Sequence, residues 1–223
     1  VVKSTGSWYS VLTNDGVQLD CRMRGKFRMQ GLKSTNPVAV GDRVLLDLNG
    51  EDYLISKILE RKNYIIRKSV NLSKQVHIIA ANIDQAFLIV TLASPTTSVG
   101  FIDRFLVTAE AYQIPTVLVF NKVDLYDEFD REYHDEIVQM YTNSGYECME
   151  TSALDQMNID LLTTKMTDKV TLLSGHSGVG KSTLVNVIDP VLDLVTQQVS
   201  EAHNKGMHTT TFAEMYPLHF GGF

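Results

Sequence analysis

Gly175-His176-Ser177-Gly178-Val179-Gly180-Lys181-Ser182 is the stretch on which the fold turns. It fits Gly-x-x-x-x-Gly-Lys-[Ser/Thr], a loop that cradles phosphate. Such a loop wraps an anion with inward-pointing N–H groups, in backbone conformations that a Cβ obstructs. Gly175, Gly178 and Gly180 fall where that demand is greatest. Val170–Leu173 before the loop reads as a buried strand, and a helix begins near Lys181 with its positive end toward the phosphates. Lys181 is expected to reach the β- and γ-phosphates as a catalytic residue, and Ser182 to offer its hydroxyl to Mg²⁺. His176 reads as a structural residue of the loop.

Upstream lie two further runs. Asn121-Lys122-Val123-Asp124 and Thr151-Ser152-Ala153 are the pair by which GTP-binding proteins read guanine. Asp124 can accept from guanine N1–H and the exocyclic amine, donors that adenine does not present in that geometry. Asn121 braces the loop, the stem of Lys122 covers the base, and a backbone N–H near Ser152, that of Ala153, meets guanine O6. In the usual arrangement both runs follow the phosphate loop; here they precede it. The order predicts a GTPase whose chain has been cut and rejoined elsewhere, a circular permutation.

The texture from about residue 76 supports this. Ala86–Thr91 is a continuous apolar run, as in a strand buried on both faces. Phe101, Ile102, Phe105, Leu106 and Ala109 repeat at helical spacing before Pro115. Thr116–Phe120 is the next strand, a helix runs near Asp130–Ser144, and Tyr146–Glu150 is another strand. Alternating strands and helices predict a mainly parallel α/β sheet, with each motif just past the carboxyl end of a strand.

Beyond the phosphate-loop helix, Thr196–Phe212 is polar and carries Gly206 and Thr209-Thr210-Thr211. GTPases place the residue sensing Mg²⁺ and the γ-phosphate in such a loop. One of the three threonines is expected there, and Thr210 is the candidate metal ligand and catalytic residue. His208 is the candidate for positioning the attacking water. An Asp-x-x-Gly segment should follow, and the chain starts without Met, so it is expected to be part of a longer protein.

Residues 1–66 read as a separate β domain. Ser7–Thr13 and Val17–Arg24 flank Asn14-Asp15-Gly16, while Val38–Asp47 and Tyr53–Leu59 flank Asn49-Gly50, both hairpin signals. A five-stranded barrel of the oligonucleotide-binding type closes so few short strands. Arg22, Arg24, Lys26, Arg28 and Lys33 crowd one loop with Phe27, a composition suited to RNA phosphates and a stacked base. Residues 1–68 carry 12 Lys and Arg against 7 Asp and Glu, and the remainder 8 against 19, so the basic end is the one to meet an anionic partner. Residues 67–223 form the second predicted domain. Cys21 and Cys148 stand far apart, which argues against a disulfide framework or a zinc site in these residues and fits a reducing cytoplasm. They read as buried small apolar residues. No apolar run reaches membrane-spanning length.

The basic β-barrel followed by Asn121–Asp124, Thr151–Ala153, Gly175–Ser182 and Gly206–Thr211 resembles the bacterial ribosome small-subunit-dependent GTPase A family, over nearly the whole chain. The resemblance implies a GTP hydrolase acting in late maturation of the small ribosomal subunit, binding ribosomal RNA and stimulated by the subunit. It implies guanine contacts at Asn121, Lys122, Val123 and Asp124, with Ser152 and Ala153. Phosphate contacts run from Gly175 through His176, Ser177, Gly178, Val179, Gly180, Lys181 and Ser182 to Thr183. It also implies a zinc-binding C-terminal domain, whose ligands have no counterpart in this sequence. GTP or GDP and Mg²⁺ are the expected cofactors. The expected setting is a cytoplasmic monomer without DNA or membrane partners. The rival readings are another circularly permuted ribosome-assembly GTPase, a P-loop ATPase or kinase, and a non-enzymatic RNA-binding protein whose nucleotide only holds the fold.

Overall fold

A computed structural model describes residues 1–24, 37–50, 52–68, 76–195 and 213–223. They divide into two compact units, residues 1–83 with 213–216, and residues 84–195 with 217–223.

In the first unit, β1 (Lys3–Thr5), β2 (Trp8–Leu12), β3 (Gln18–Met23), β4 (Val44–Asn49) and β5 (Asp52–Ile58) form a sheet in the order β1-β2-β3-β5-β4. All neighbours are antiparallel except β3 and β5. The ends of this order are drawn together just ahead of β4, where Gly41 N–H donates to the Val1 carbonyl at 2.8 Å and the Val1 ammonium to the Asp42 carbonyl at 2.7 Å. That closure removes an open edge and gives the five-stranded oligonucleotide-binding barrel. Period-2 alternation sends Tyr9, Val11, Cys21 and Ile55 inward, where Val1 and Val38 complete a core.

The turn over residues 14–16 forms as its sequence requires, with Thr13 N–H donating to the Val17 carbonyl at 2.9 Å. The strand expected from Val38 instead starts at Val44. Residues before it are held by a polar knot: the buried Asp42 carboxylate accepts from Ala39 N–H at 2.8 Å and from Arg61 at 2.6 and 2.7 Å. Sequence pattern also gave no sign that β6 (Tyr64–Lys68) pairs antiparallel with β7 (Val76–Ala81), because Ile78–Ala81 is apolar without alternation.

The second unit is a parallel sheet of β8 (Gln85–Val90), β9 (Thr116–Asn121), β10 (Glu147–Thr151) and β11 (Thr171–Ser174), ordered β10-β9-β8-β11. Every residue of β8 is buried, the consequence of helices on both faces. Helices α1 (Val99–Ala111) and α2 (Glu128–Asn143) cover one face, packing Ile102, Leu106, Ile137 and Tyr141 on Leu88, Val90, Leu118 and Phe120. Helices α3 (Ile159–Met166) and α4 (Lys181–Ile188) cover the other, packing Leu162, Met166, Leu184 and Ile188 on Phe87, Ile89, Val117 and Val119. Helix α2 starts two residues before the expected Asp130, because the Asp127 carboxylate caps it by accepting from Asp130 N–H at 2.8 Å. No described helix is long and apolar enough to cross a membrane.

Candidate functional site

Parallel strands send their carboxyl ends to one edge, and there β9 ends in Asn121, β10 in Thr151 and β11 in Ser174. Thr151 lies opposite Asn121 in the ladder, so the loops beyond them start side by side. Asn121 is fully buried and ties three motifs together. Its Nδ2 donates to the Val179 carbonyl at 2.8 Å, and its Oδ1 accepts from the Thr151 hydroxyl at 3.1 Å. Lys122 adopts a left-handed backbone, with φ of 64°. Its Nζ donates to the carbonyls of Gly178 and Ser94, both at 2.7 Å, and burial lowers its pKa. Val123 is buried and anchors the single helical turn Val123–Leu125, which leaves Asp124 exposed to solvent.

The glycine pattern is explained by contact. Gly180 has φ of 93°, and a Cβ there would stand 2.5 Å from Asn121 Nδ2. At Gly175 a Cβ would stand 2.5 Å from the Ile89 carbonyl oxygen. A side chain at either position would force the phosphate loop away from β8 or from the Asn121 loop.

Inside the loop, Lys181 Nζ donates to the carbonyls of Gly175 at 2.9 Å and His176 at 2.7 Å. Burial pushes this ammonium down to about 8, since the loop carbonyls supply dipoles and no neutralising charge. A lysine so placed gains when an anion enters. Ser182 and Thr183 follow on the first turn of α4, half-buried, and Ser177 and Gly178 are half-buried in the loop. Val179 is buried in the core between α4 and the sheet. His176 stacks on Phe101 of α1, with ring centroids 3.8 Å apart, so its side chain props the loop on a helix. Burial, then Lys181 and Arg104, lower the His176 pKa and favour the neutral ring.

On the third loop, Ser152 is buried; its hydroxyl accepts from Asp155 N–H at 3.1 Å and its carbonyl from Met157 N–H at 2.9 Å. This tight turn presents the half-buried Ala153 next to Asn121's neighbour Thr151. Three motifs dispersed over 62 residues therefore meet at one edge of the sheet: the glycine loop with its buried cation, and the loops that follow β9 and β10. A Mg²⁺ ion bound by a hydroxyl and phosphate oxygens needs no carboxylate cluster, and the Ser182 hydroxyl beside Lys181 fits that donor set. Among the described residues no three His, Cys, Asp or Glu converge on a metal position.

Thr209, Thr210, Thr211, His208, Lys26, Phe27, Arg28 and Lys33 lie outside the described residues. Two contributors escaped the sequence reading: the Ser94 carbonyl, which accepts from Lys122, and Phe101, the support of His176. The Ser94-Pro95 turn signal was the available hint for the first. Cys21 is buried as expected, whereas Cys148 is only partly so.

The RsgA GTPase model matches residues 58–223 and the RsgA N-terminal domain model residues 1–53. The small ribosomal subunit biogenesis GTPase RsgA of Bacteroides fragilis is 54% identical over 224 residues, covering 100% of this chain and 72% of that protein. The protein of the same name from Christiangramia forsetii is 56% identical, covering 99% of this chain and 71% of its own length. Among solved structures, YjeQ from Thermotoga maritima aligns with a TM-score of 0.74 at 35% identity, covering 100% of this chain and 70% of that one. YloQ, described as a circularly permuted GTPase, aligns with a TM-score of 0.62 at 32% identity, covering 86% of this chain and 63% of that one.

Proposed function

We propose a division of labour among the residues of this chain, which belongs to the RsgA GTPase family and is a circularly permuted GTP-hydrolysing enzyme. Its place is the biogenesis of the small ribosomal subunit, the role named for its relatives. Asp124 reads the guanine N1–H and amine, the Lys122 stem covers the base, and the Ala153 N–H meets O6. Asn121 and Val123 hold that loop in place, with Ser152 shaping the turn before Ala153. The N–H groups from Gly175 to Thr183 wrap the phosphates, and Lys181 neutralises charge on the β- and γ-oxygens. Mg²⁺, held by Ser182 and Thr210 with the phosphates, would supply further neutralisation of that charge. His208 positions the water. Catalysis of this kind is placement and electrostatics with water as nucleophile.

The observation that carries this reading is the buried Asn121, hydrogen-bonded to Val179 and Thr151, because it joins the base-reading loops to the phosphate loop. An ATPase or kinase has no use for that linkage to Asp124. The match of an RsgA N-terminal domain to residues 1–53 favours this family over other permuted ribosomal GTPases. In the same reading, residues 1–66 bind ribosomal RNA, and the protein works as a cytoplasmic monomer.

GTP turnover by the full-length protein, measured with and without small ribosomal subunits, tests the proposal. Slow basal hydrolysis should rise sharply with subunits and vanish in Lys181→Ala. Hydrolysis that survives in Lys181→Ala, or that ignores the subunit, would overturn it.

A further inference from the structure

Helix α2 leaves apolar side chains in water along one line. Phe129, Tyr133 and Met140 are 75%, 38% and 43% exposed, and Phe129 is the most exposed aromatic among the described residues. With Glu136 they stand at i, i+4, i+7 and i+11 of one helix, so they form a single row down its surface. The row takes no part in the core, which α2 serves through the buried Ile137 and Tyr141. Single exposed apolar residues are ordinary on a surface. An aligned row of two aromatics and a methionine is instead the spacing by which a helix enters a groove.

One sign of charge borders the row. Residues 127–143 carry six Asp and Glu against one Lys or Arg, Arg131, which already pairs with Glu150 at 3.3 Å. Of the six carboxylates, Asp127, Glu128, Glu132, Asp135 and Glu136 are exposed. That border decides what can cover the apolar row. It repels nucleic acid and anionic lipid head groups. A second copy of this chain, meeting the helix about a two-fold axis, would set the same carboxylates against one another. A basic protein is attracted.

We propose that α2 docks in an apolar groove on a basic protein of the small ribosomal subunit. Phe129 and Met140 are the anchors, and Tyr133 packs between them. Glu132, Asp135 and Glu136 meet lysines and arginines on the border of the groove. A protein seated on ribosomal RNA carries such cations to neutralise phosphate, so its surface complements this helix. The inference rests on the small-subunit role of the family and needs none of the residue roles proposed at the nucleotide loops.

The test uses the full-length protein and purified small subunits. Benzoylphenylalanine placed at position 129 should crosslink on irradiation to one subunit protein rich in Lys and Arg. Phe129→Ser with Met140→Ser, and separately Glu132→Lys with Glu136→Lys, all at exposed positions, should each weaken subunit binding by roughly tenfold. GDP affinity should stay unchanged in both double variants, as proof of an intact fold. Crosslinking to ribosomal RNA, to a second copy or within the same chain would overturn the inference. So would the absence of any crosslink, or native affinity in either double variant, and both would leave the small-subunit role standing. A native protein that does not bind the subunit at all would end that role and the inference together.

Discussion

Asn121 donates its side-chain N–H to the Val179 carbonyl at 2.8 Å across 58 residues of chain. The same amide accepts from the Thr151 hydroxyl. Both bonds are buried, so water cannot replace a lost partner. Asn121→Ala should cost about 1–3 kcal/mol of stability and weaken GDP markedly, because both loops lose their register. Thr151→Val strands only one acceptor and should cost less. Denaturant unfolding and titration with labelled GDP check the order; equal effects of the two would show that Asn121 is not the joint.

Lys181 makes nucleotide binding sensitive to pH. Burial in the folded loop lowers its pKa to about 8, whereas phosphate beside it favours the charged form. As pH rises above about 8 the free lysine loses its proton, which binding must restore. GDP affinity should then fall by up to about tenfold per pH unit. Stability moves the other way. The folded pKa lies below the unfolded value of about 10.4, so between the two the unfolded chain holds more protons. The nucleotide-free protein therefore gains stability from this residue as pH rises through that window. A GDP titration series from neutral to alkaline pH reads the first effect, and Lys181→Arg should flatten it. An affinity constant across that range in the native protein would contradict the assignment.

On the barrel, the Arg22 guanidinium lies 4.0 Å from the Trp8 ring centroid, and Arg24 pairs loosely with Asp47 at 3.2 Å; both arginines are exposed. Exposed pairs hold little energy, so both cations remain available to phosphate. Replacing Arg22 and Arg24 by Glu should weaken small-subunit binding and lower its salt slope by roughly one unit per lost phosphate contact. Native affinity in that variant would place the RNA contact elsewhere.

The sheet was legible because β8 and β9 are buried on both faces and read as unbroken apolar runs, and because each motif abuts a strand end. The phosphate-loop glycines were legible for a physical reason too: at Gly175 and Gly180 no Cβ fits. What escaped depended on distant partners. The Ser94-Pro95 pair signals a turn, but nothing in it names Lys122, 28 residues on, as the partner of the Ser94 carbonyl. The late start of β4 follows from Asp42 finding Arg61, a pairing that no periodicity encodes. His134 has no ligand-like spacing in the sequence, and only the fold brings it from α2 against Phe120, with ring centroids 4.9 Å apart.

The central claim is that loops in permuted order build a single guanine site, with Asp124 as its reader. Competition of GDP and xanthosine diphosphate against labelled nucleotide, in the native protein and in Asp124→Asn, tests it most directly. The account predicts that the native protein prefers GDP, and that the variant loses GDP and gains xanthosine diphosphate, whose C2 carbonyl accepts from the new amide. Undiminished preference for GDP in Asp124→Asn would contradict it.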